Sequence, residues 1–308
     1  MVTASCDSTL RVWRMADSAC LRTLTGHTNY VCAVVDVGGG RVASGGWDCV
    51  LRVWDVLSGK QLQQTPAGEG AIFCAASLWG DRVATGQSTG EIRLWSLGGG
   101  GRAARVLRGH VDSVRSLAVM DVSTPQRLLA SSSDDCSVRL WDVDARTCTA
   151  VLNGHTGWVR CLADLGGGRL LSGSDDRSLR VWKTATGACL AVVPDAHGAG
   201  ETQGFILSAC ALPGGAATVS LGGAVQRWKW DEGANALTPD GAALQLEGGI
   251  VWSLAAAPGP DRAQQLLVGC RDGILRVLGT NGAGGALQQH AALGGHSAPI
   301  RALTVMMR

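Results

Sequence analysis

Three sets of side chains with the makings of hydrolytic chemistry recur in this 308-residue sequence: His27, Ser44 and Asp48; His110, Ser131 and Asp135; His155, Ser172 and Asp176. A histidine that takes the proton of a serine hydroxyl, while an aspartate orients its ring, is the apparatus of nucleophilic acyl transfer. That apparatus needs one exposed hydroxyl beside an oxyanion pocket. An enzyme requires one such set. Here the set repeats, each time with a tryptophan six residues after the aspartate, at Trp54, Trp141 and Trp182. Repetition in register favours a structural role. A buried hydrogen bond contributes about 0.5–1.5 kcal/mol net, and removing one partner costs more because the other is left unsatisfied.

The elements that hold these residues follow from the tryptophans. RVW ends at Trp13, Trp54 and Trp182, RLW at Trp95 and Trp141, QRW at Trp228, and RVL at Leu278, in steps of 41, 41, 46, 41, 46 and 50 residues. A period of about 40–45 residues, closed by an alternating apolar segment, is that of a four-stranded propeller blade, because one short sheet cannot bury both its faces alone. The expected fold is all-β: one domain, residues 1–308, forming a seven-bladed β-propeller with four antiparallel strands per blade.

Read in register, Asp7, Asp48, Asp135, Asp176 and Asp272 lie six residues before their anchors, and Thr3, Ser44, Thr85, Ser131, Ser172 and Thr218 lie ten before. Gly-His pairs open four units, at His27, His110, His155 and His296. On these residues the chain resembles the WD-repeat family along its whole length. The resemblance implies a buried hydrogen-bond chain through His, hydroxyl, turn Asp and Trp within a blade. Carried over, the sets are His27, Ser44, Asp48, Trp54; His110, Ser131, Asp135, Trp141; His155, Ser172, Asp176, Trp182; and a split set in which Thr3, Asp7 and Trp13 open the chain while His296 stands near its end. Blade one is thus expected from residues 1–25 plus 296–308, its last strand coming from APIRALTV at 298–305, and blades two to seven from 26–295. Closure of this kind removes free sheet edges. The third, sixth and seventh units depart from the pattern, with Thr89 and Gly222 in the Asp slot, Leu278 for Trp and Val268 for the strand hydroxyl. These three blades are expected to hold by packing alone.

Composition agrees. A hydrophobic share of 46% supplies a large core, and 44 glycines with 17% charged residues suit tight turns between short strands. No apolar run is long enough to span a bilayer and no basic-then-hydrophobic leader opens the chain, so the expectation is a soluble cytoplasmic or nuclear protein without a membrane partner. A net charge of +2 does not imply a polyelectrolyte grip on nucleic acid. The eleven cysteines follow the repeat and contain no CxxC, which favours small buried residues kept reduced over disulfides or a metal. No phosphate loop, HExxH, GxSxG or dinucleotide fingerprint occurs. No cofactor, metal or catalytic residue is assigned.

In WD-repeat propellers the residue after the first apolar position of the innermost strand points to the mouth of the central channel. By that resemblance the mouth holds Arg301, Cys32, Phe73, Arg115, Arg160, Leu207 and Trp252, and the slot before the turn Asp adds Trp47, Asp134, Asp175 and Arg271. Arginine grips carboxylate or phosphate bidentately, and Arg with Trp dominates interface energetics, so Arg115, Arg160, Arg301, Phe73, Trp252, Leu207, Trp47 and Arg271 are the candidate partner-binding residues. The opposing reading is that the rim arginines pair with Asp134 and Asp175. The longer connections DAHGAGETQG, DEGANALTPDG and GTNGAGGALQQHAAL are expected to project on the same face. The mouth slot supplies no His, Asp or Glu for acid/base or metal chemistry. The expected function is a non-catalytic scaffold for proteins or peptides, acidic or phosphorylated ones among them, within a larger complex. Two alternatives remain. One is a ubiquitin-ligase substrate-recognition module, since the units with short connections are similar in style to F-box/WD-repeat receptors, although no F-box is present and DVL and DVD follow Trp54 and Trp141 instead of a WDxR ending. The other is an RNA-associated or ribosome-assembly scaffold, for which Arg102, Arg105 and Arg108 are the candidate basic cluster.

Overall fold

Turns rich in Gly, Asp and Ser separate short apolar strands, and the strands pair into seven antiparallel sheets. The computed structural model describes residues 1–98, 105–120, 127–198, 203–247, 250–258, 264–280 and 286–306. No helix occurs among them.

Six sheets are built from consecutive strands, and the seventh is closed across the chain: Ile300–Thr304 pairs with Val2–Ser5, with Val2 opposite Thr304. The innermost strands of blades one to seven are Ile300–Thr304, Val31–Gly38, Ile72–Leu78, Val114–Val119, Val159–Gly166, Ile206–Leu212 and Val251–Pro258, and each neighbours the next around a closed ring. Blade six carries a fifth, two-residue strand, Leu244–Gln245, on its third strand.

The core consists of layers between blades, and the repeat anchors fill them. Trp54 lies against Val2, Leu10 and Leu24 of blade one, Trp95 against Ala33, Ala43 and Val53 of blade two, and Trp141 against Ala84, Ile92 and Leu94 of blade three. Trp182 meets Ala130, Val138 and Leu140 of blade four, and Trp228 meets Leu171, Leu179 and Val181 of blade five. Leu278 packs with Val219 and Val225 of blade six, and Trp13 completes the circle on Leu267, Leu275 and Val277 of blade seven. Each anchor therefore cements its blade to the one before it, which is why the period appears so clearly in the sequence. Along the channel, side-chain oxygens staple neighbouring inner strands: Ser116 accepts from the Leu162 amide at 3.3 Å, Ser208 from Leu254 at 3.1 Å, and Thr304 from Asp36 at 3.3 Å.

Candidate interaction site at the channel mouth

The repeated His, Ser and Asp side chains form relays in the core. In blade five, Trp182 Nε1 donates to Ser172 Oγ at 2.8 Å, Ser172 meets His155 Nε2 at 2.7 Å, and His155 Nδ1 meets Asp176 Oδ2 at 2.8 Å. With Asp176 accepting from Nδ1–H, Nε2 accepts the serine proton, so every polar group is used. The same chain joins Trp54, Ser44, His27 and Asp48, Trp141, Ser131, His110 and Asp135, and across the split blade Trp13, Thr3, His296 and Asp7. All four hydroxyls have 0% exposure, so none is placed to attack a substrate. Burial raises the Asp176 carboxyl, but the hydrogen bonds from His155, the Ser178 hydroxyl and the Thr156 amide outweigh it and hold the acid well below the usual carboxylate range. Asp135 is held down in the same way by His110 and Ser137.

Two of the three irregular blades do not hold by packing alone. In blade three Trp95 donates to Thr85 at 2.9 Å. In blade six Trp228 donates to Thr218 at 2.7 Å, and His197 Nε2 meets the same hydroxyl at 2.8 Å. His197 was missed because no Gly precedes it; its distance of 21 residues to Thr218 equals that from His110 to Ser131 and was the available signal. With Gly222 in the Asp slot, its Nδ1 is buried without a partner, and burial lowers the ring's pKa to about 4. Only blade seven substitutes packing, through Val268 and Leu278. Its Asp272 turns to Arg276 instead, at 2.7 Å.

At the mouth, the seven slot residues share one backbone feature. In every blade the register between the two inner strands shifts at the slot, so Arg301, Cys32, Phe73, Arg115, Arg160, Leu207 and Trp252 are each the extra residue of a β-bulge. A bulge takes a residue out of the ladder and re-aims its side chain. These seven side chains and Trp47 converge on a cavity of about 120 Å³.

The arginines differ in their partners. Arg115 grips Asp134 with Nε at 2.8 and 2.9 Å, and Arg160 grips Asp175 with Nε at 3.0 Å and Nη2 at 2.8 Å. Their charges are neutralised within the rim, and Arg115→Glu or Arg160→Glu would first break an internal ion pair. Arg301 has no such partner and stacks on Trp252 at 3.9 Å. Around the paired arginines runs an aromatic arc: Tyr30 and Trp47 at 6.0 Å, Trp47 and Phe73 at 6.0 Å, Arg115 on Phe73 at 4.5 Å, and Arg160 on Trp158 at 4.6 Å. Tyr30, Trp47 and Trp158 are exposed. Tyr30 and Trp158 were not singled out from the sequence. They stand two residues before the slots at Cys32 and Arg160, so a register rule could have found them.

Two expectations need correction. Only one of the long segments lies on the mouth face. DAHGAGETQG connects blades five and six, and its residues 199–202 lie outside the described residues. DEGANALTPDG instead forms the hairpin and outer strand Ala236–Pro239 of blade six, with Glu232 paired to Arg169 at 2.8 Å on the opposite face; in GTNGAGGALQQHAAL residues 281–285 lie outside the described residues and 287–293 form the strand Leu287–Leu293. In DEGANALTPDG the extra length went into a strand and its far turn. The cysteines are not uniformly buried: Cys20, Cys148 and Cys189 are exposed on outermost strands, whereas Cys74, Cys161 and Cys210 stand on innermost strands and burial pushes their thiols up to about 12. All eleven are free thiols. Of the basic cluster, Arg102 lies outside the described residues, Arg105 is exposed, and Arg108 pairs with Glu91 at 2.7 Å.

The model of the WD domain, G-beta repeat, matches residues 18–55, 101–142 and 146–183. This chain contains WD repeats. Among curated proteins it is similar to the probable E3 ubiquitin ligase complex SCF subunit sconB of Emericella nidulans, 46% identical over 59 residues that make up 19% of this chain and 8% of that protein. The sconB protein of Aspergillus clavatus is 46% identical over 55 residues, 18% of this chain and 7% of that protein. The chain thus matches under a tenth of the length of these relatives. Among solved structures, that of U3-55K has a TM-score of 0.76 at 22% identity, over 87% of this chain and 83% of that one. The crystal structure of RRP9 WD40 repeats has a TM-score of 0.76 at 23% identity, over 87% and 82%. These two likenesses concern the fold alone.

Proposed function

We propose that this WD-repeat propeller is a non-catalytic scaffold that holds partner proteins or peptides on its channel-mouth face. The observation that carries the reading is the set of seven bulged residues around one cavity, bordered by the exposed rings of Tyr30, Trp47 and Trp158. Exposed aromatics beside arginines are the composition of interface hot spots. The buried hydroxyls of the four relays favour scaffold over enzyme. A reduced-thiol compartment, cytoplasm or nucleus, suits eleven free cysteines. The test is quantitative affinity purification with Trp47→Ala/Trp158→Ala beside Arg82→Ala, which alters the opposite face. Loss of partners with the mouth variant alone supports the reading; an equal partner set for all three proteins refutes it.

A second reading, substrate recognition for a ubiquitin ligase, is favoured by the 46% identity to sconB over 59 residues. It predicts that partners captured at the mouth carry more ubiquitin when the protein is abundant, and that Trp47→Ala/Trp158→Ala abolishes the difference. Unchanged ubiquitylation removes this reading and leaves the scaffold. For the RNA-associated alternative, the paired states of Arg108, Arg115 and Arg160 count against a basic stripe.

A further inference from the structure

Between blades seven and one, next to the mouth, lies a second cavity, of about 420 Å³, bordered by Arg301, Trp252, Arg271, Tyr30, Cys6 and Pro299 among others. Its two arginines are unlike the others of the rim. Among the described residues neither Arg271 nor Arg301 is ion-paired, whereas Arg115 and Arg160 each hold a carboxylate of this chain. The Arg301 guanidinium carbon lies over the Trp252 ring, 3.9 Å from its centroid. Arg301 Nε and Trp252 Nε1 are both buried, and neither has a hydrogen-bond acceptor. Buried donors without acceptors are costly. Two positive charges without an internal carboxylate beside one cavity fit an anionic group from outside the chain.

We infer that this corner is a socket for a carboxylate side chain of a partner peptide, and that the aromatic arc from Tyr30 to Trp158 holds the apolar residues beside it. The inference rests on the proposed use of the mouth as a protein-binding face and specifies the chemistry selected there. A carboxylate matches the charge: it is planar, and its two oxygens can accept from a guanidinium edge. The mouth is therefore polarised. Blades two to five present rings over internally neutralised arginines, and blades seven and one present the free charge.

The experiment uses a library of short synthetic peptides of random sequence, each with glutamate, glutamine or phosphoserine at one fixed position, probed with the whole chain. Wild-type protein is expected to favour glutamate over glutamine by tenfold or more, the order of one charge-assisted hydrogen bond to a buried donor. Arg301→Gln should abolish the preference, and Arg271→Gln, at an exposed position, should reduce it without threatening the fold. Arg115→Gln/Asp134→Asn, which removes an internal pair, should leave it intact. A preference that survives Arg301→Gln and Arg271→Gln overturns the socket, as does one lost equally with the Arg115→Gln/Asp134→Asn protein. A marked preference for phosphoserine over glutamate overturns the carboxylate assignment. Peptides bound without any acidic preference, yet lost with Trp47→Ala/Trp158→Ala, sink the socket while the scaffold reading stands.

Discussion

Replacing Ser172 by Ala should be among the most damaging single-atom deletions in this propeller. Ser172 Oγ is fully buried, accepts from Trp182 Nε1 at 2.8 Å and meets His155 Nε2 at 2.7 Å. Without it two polar groups lose their partner in a layer where Trp182 is 2% exposed, so water cannot readily replace it. Each orphaned group costs about 1–3 kcal/mol, which puts Ser172→Ala near ~4 kcal/mol. In blade three the same slot serves one donor: Thr85 accepts from Trp95 Nε1 at 2.9 Å, and no histidine completes a relay. The near-isosteric Thr85→Val should then cost about half as much, ~2 kcal/mol by the same reckoning. In blade seven Val268 already occupies the slot and packs against Leu278, so Val268→Thr should destabilise by adding a hydroxyl to an apolar layer. Urea unfolding of the three variants beside the wild type, read by tryptophan fluorescence, gives the order directly, with the midpoint shift at unchanged slope reporting stability. Equal losses for Ser172→Ala and Thr85→Val, or a loss below about 0.5 kcal/mol for both, would refute the claim that the relay stabilises the blade through mutually satisfied buried groups.

Other consequences are equally concrete. Burial lowers the folded pKa of His197 to about 4, below the unfolded value of ~6.5. Its neutral form therefore stabilises the fold fully above pH ~6.5, and that contribution is lost as pH falls toward the folded value. His197→Gln should remove about 3 kcal/mol of acid sensitivity from this window, measured as melting temperature against pH. The depressed acids Asp135 and Asp176 act lower: they stabilise above the unfolded carboxylate value of ~3.9, and loss of stability deepens below it. Asp176→Asn should flatten the acid limb below that pH while lowering stability at neutral pH. Arg115→Ala strands the Asp134 carboxylate, whose side chain is 3% exposed, and should cost about 2 kcal/mol in urea unfolding, with Asp134→Asn restoring part of it. Gly46→Ala would put a methyl 1.9 Å from the Tyr30 carbonyl. It should displace the Tyr30 and Trp47 arc, seen as altered tryptophan fluorescence and weaker partner capture.

Much of the ring could be read before any coordinates. The anchors at Trp13, Trp54, Trp95, Trp141, Trp182, Trp228 and Leu278 recur because each fills the same layer against the preceding blade. A physical requirement repeated seven times leaves a period. The His and Asp of each relay were legible for the same reason, and the split set at Thr3, Asp7, Trp13 and His296 showed that the ends meet. Where the period breaks, its guidance ended. His197 reaches Thr218 from a connection of different length, and the residues of DEGANALTPDG went into a far hairpin, because insertions obey local strand pairing and not the repeat.

The linear sequence determined which residues stand at the mouth slot. Only the tertiary structure decided their chemistry, because charge at a rim depends on neighbours from other strands. Arg115, Arg160 and Arg301 occupy equivalent bulges and look interchangeable in one dimension. Asp134 and Asp175 neutralise the first two across a turn, while Arg301 meets Trp252 of the neighbouring blade and keeps its charge. The position of a side chain along the chain follows from the repeat; whether its donors are already satisfied depends on what the closed ring brings beside it.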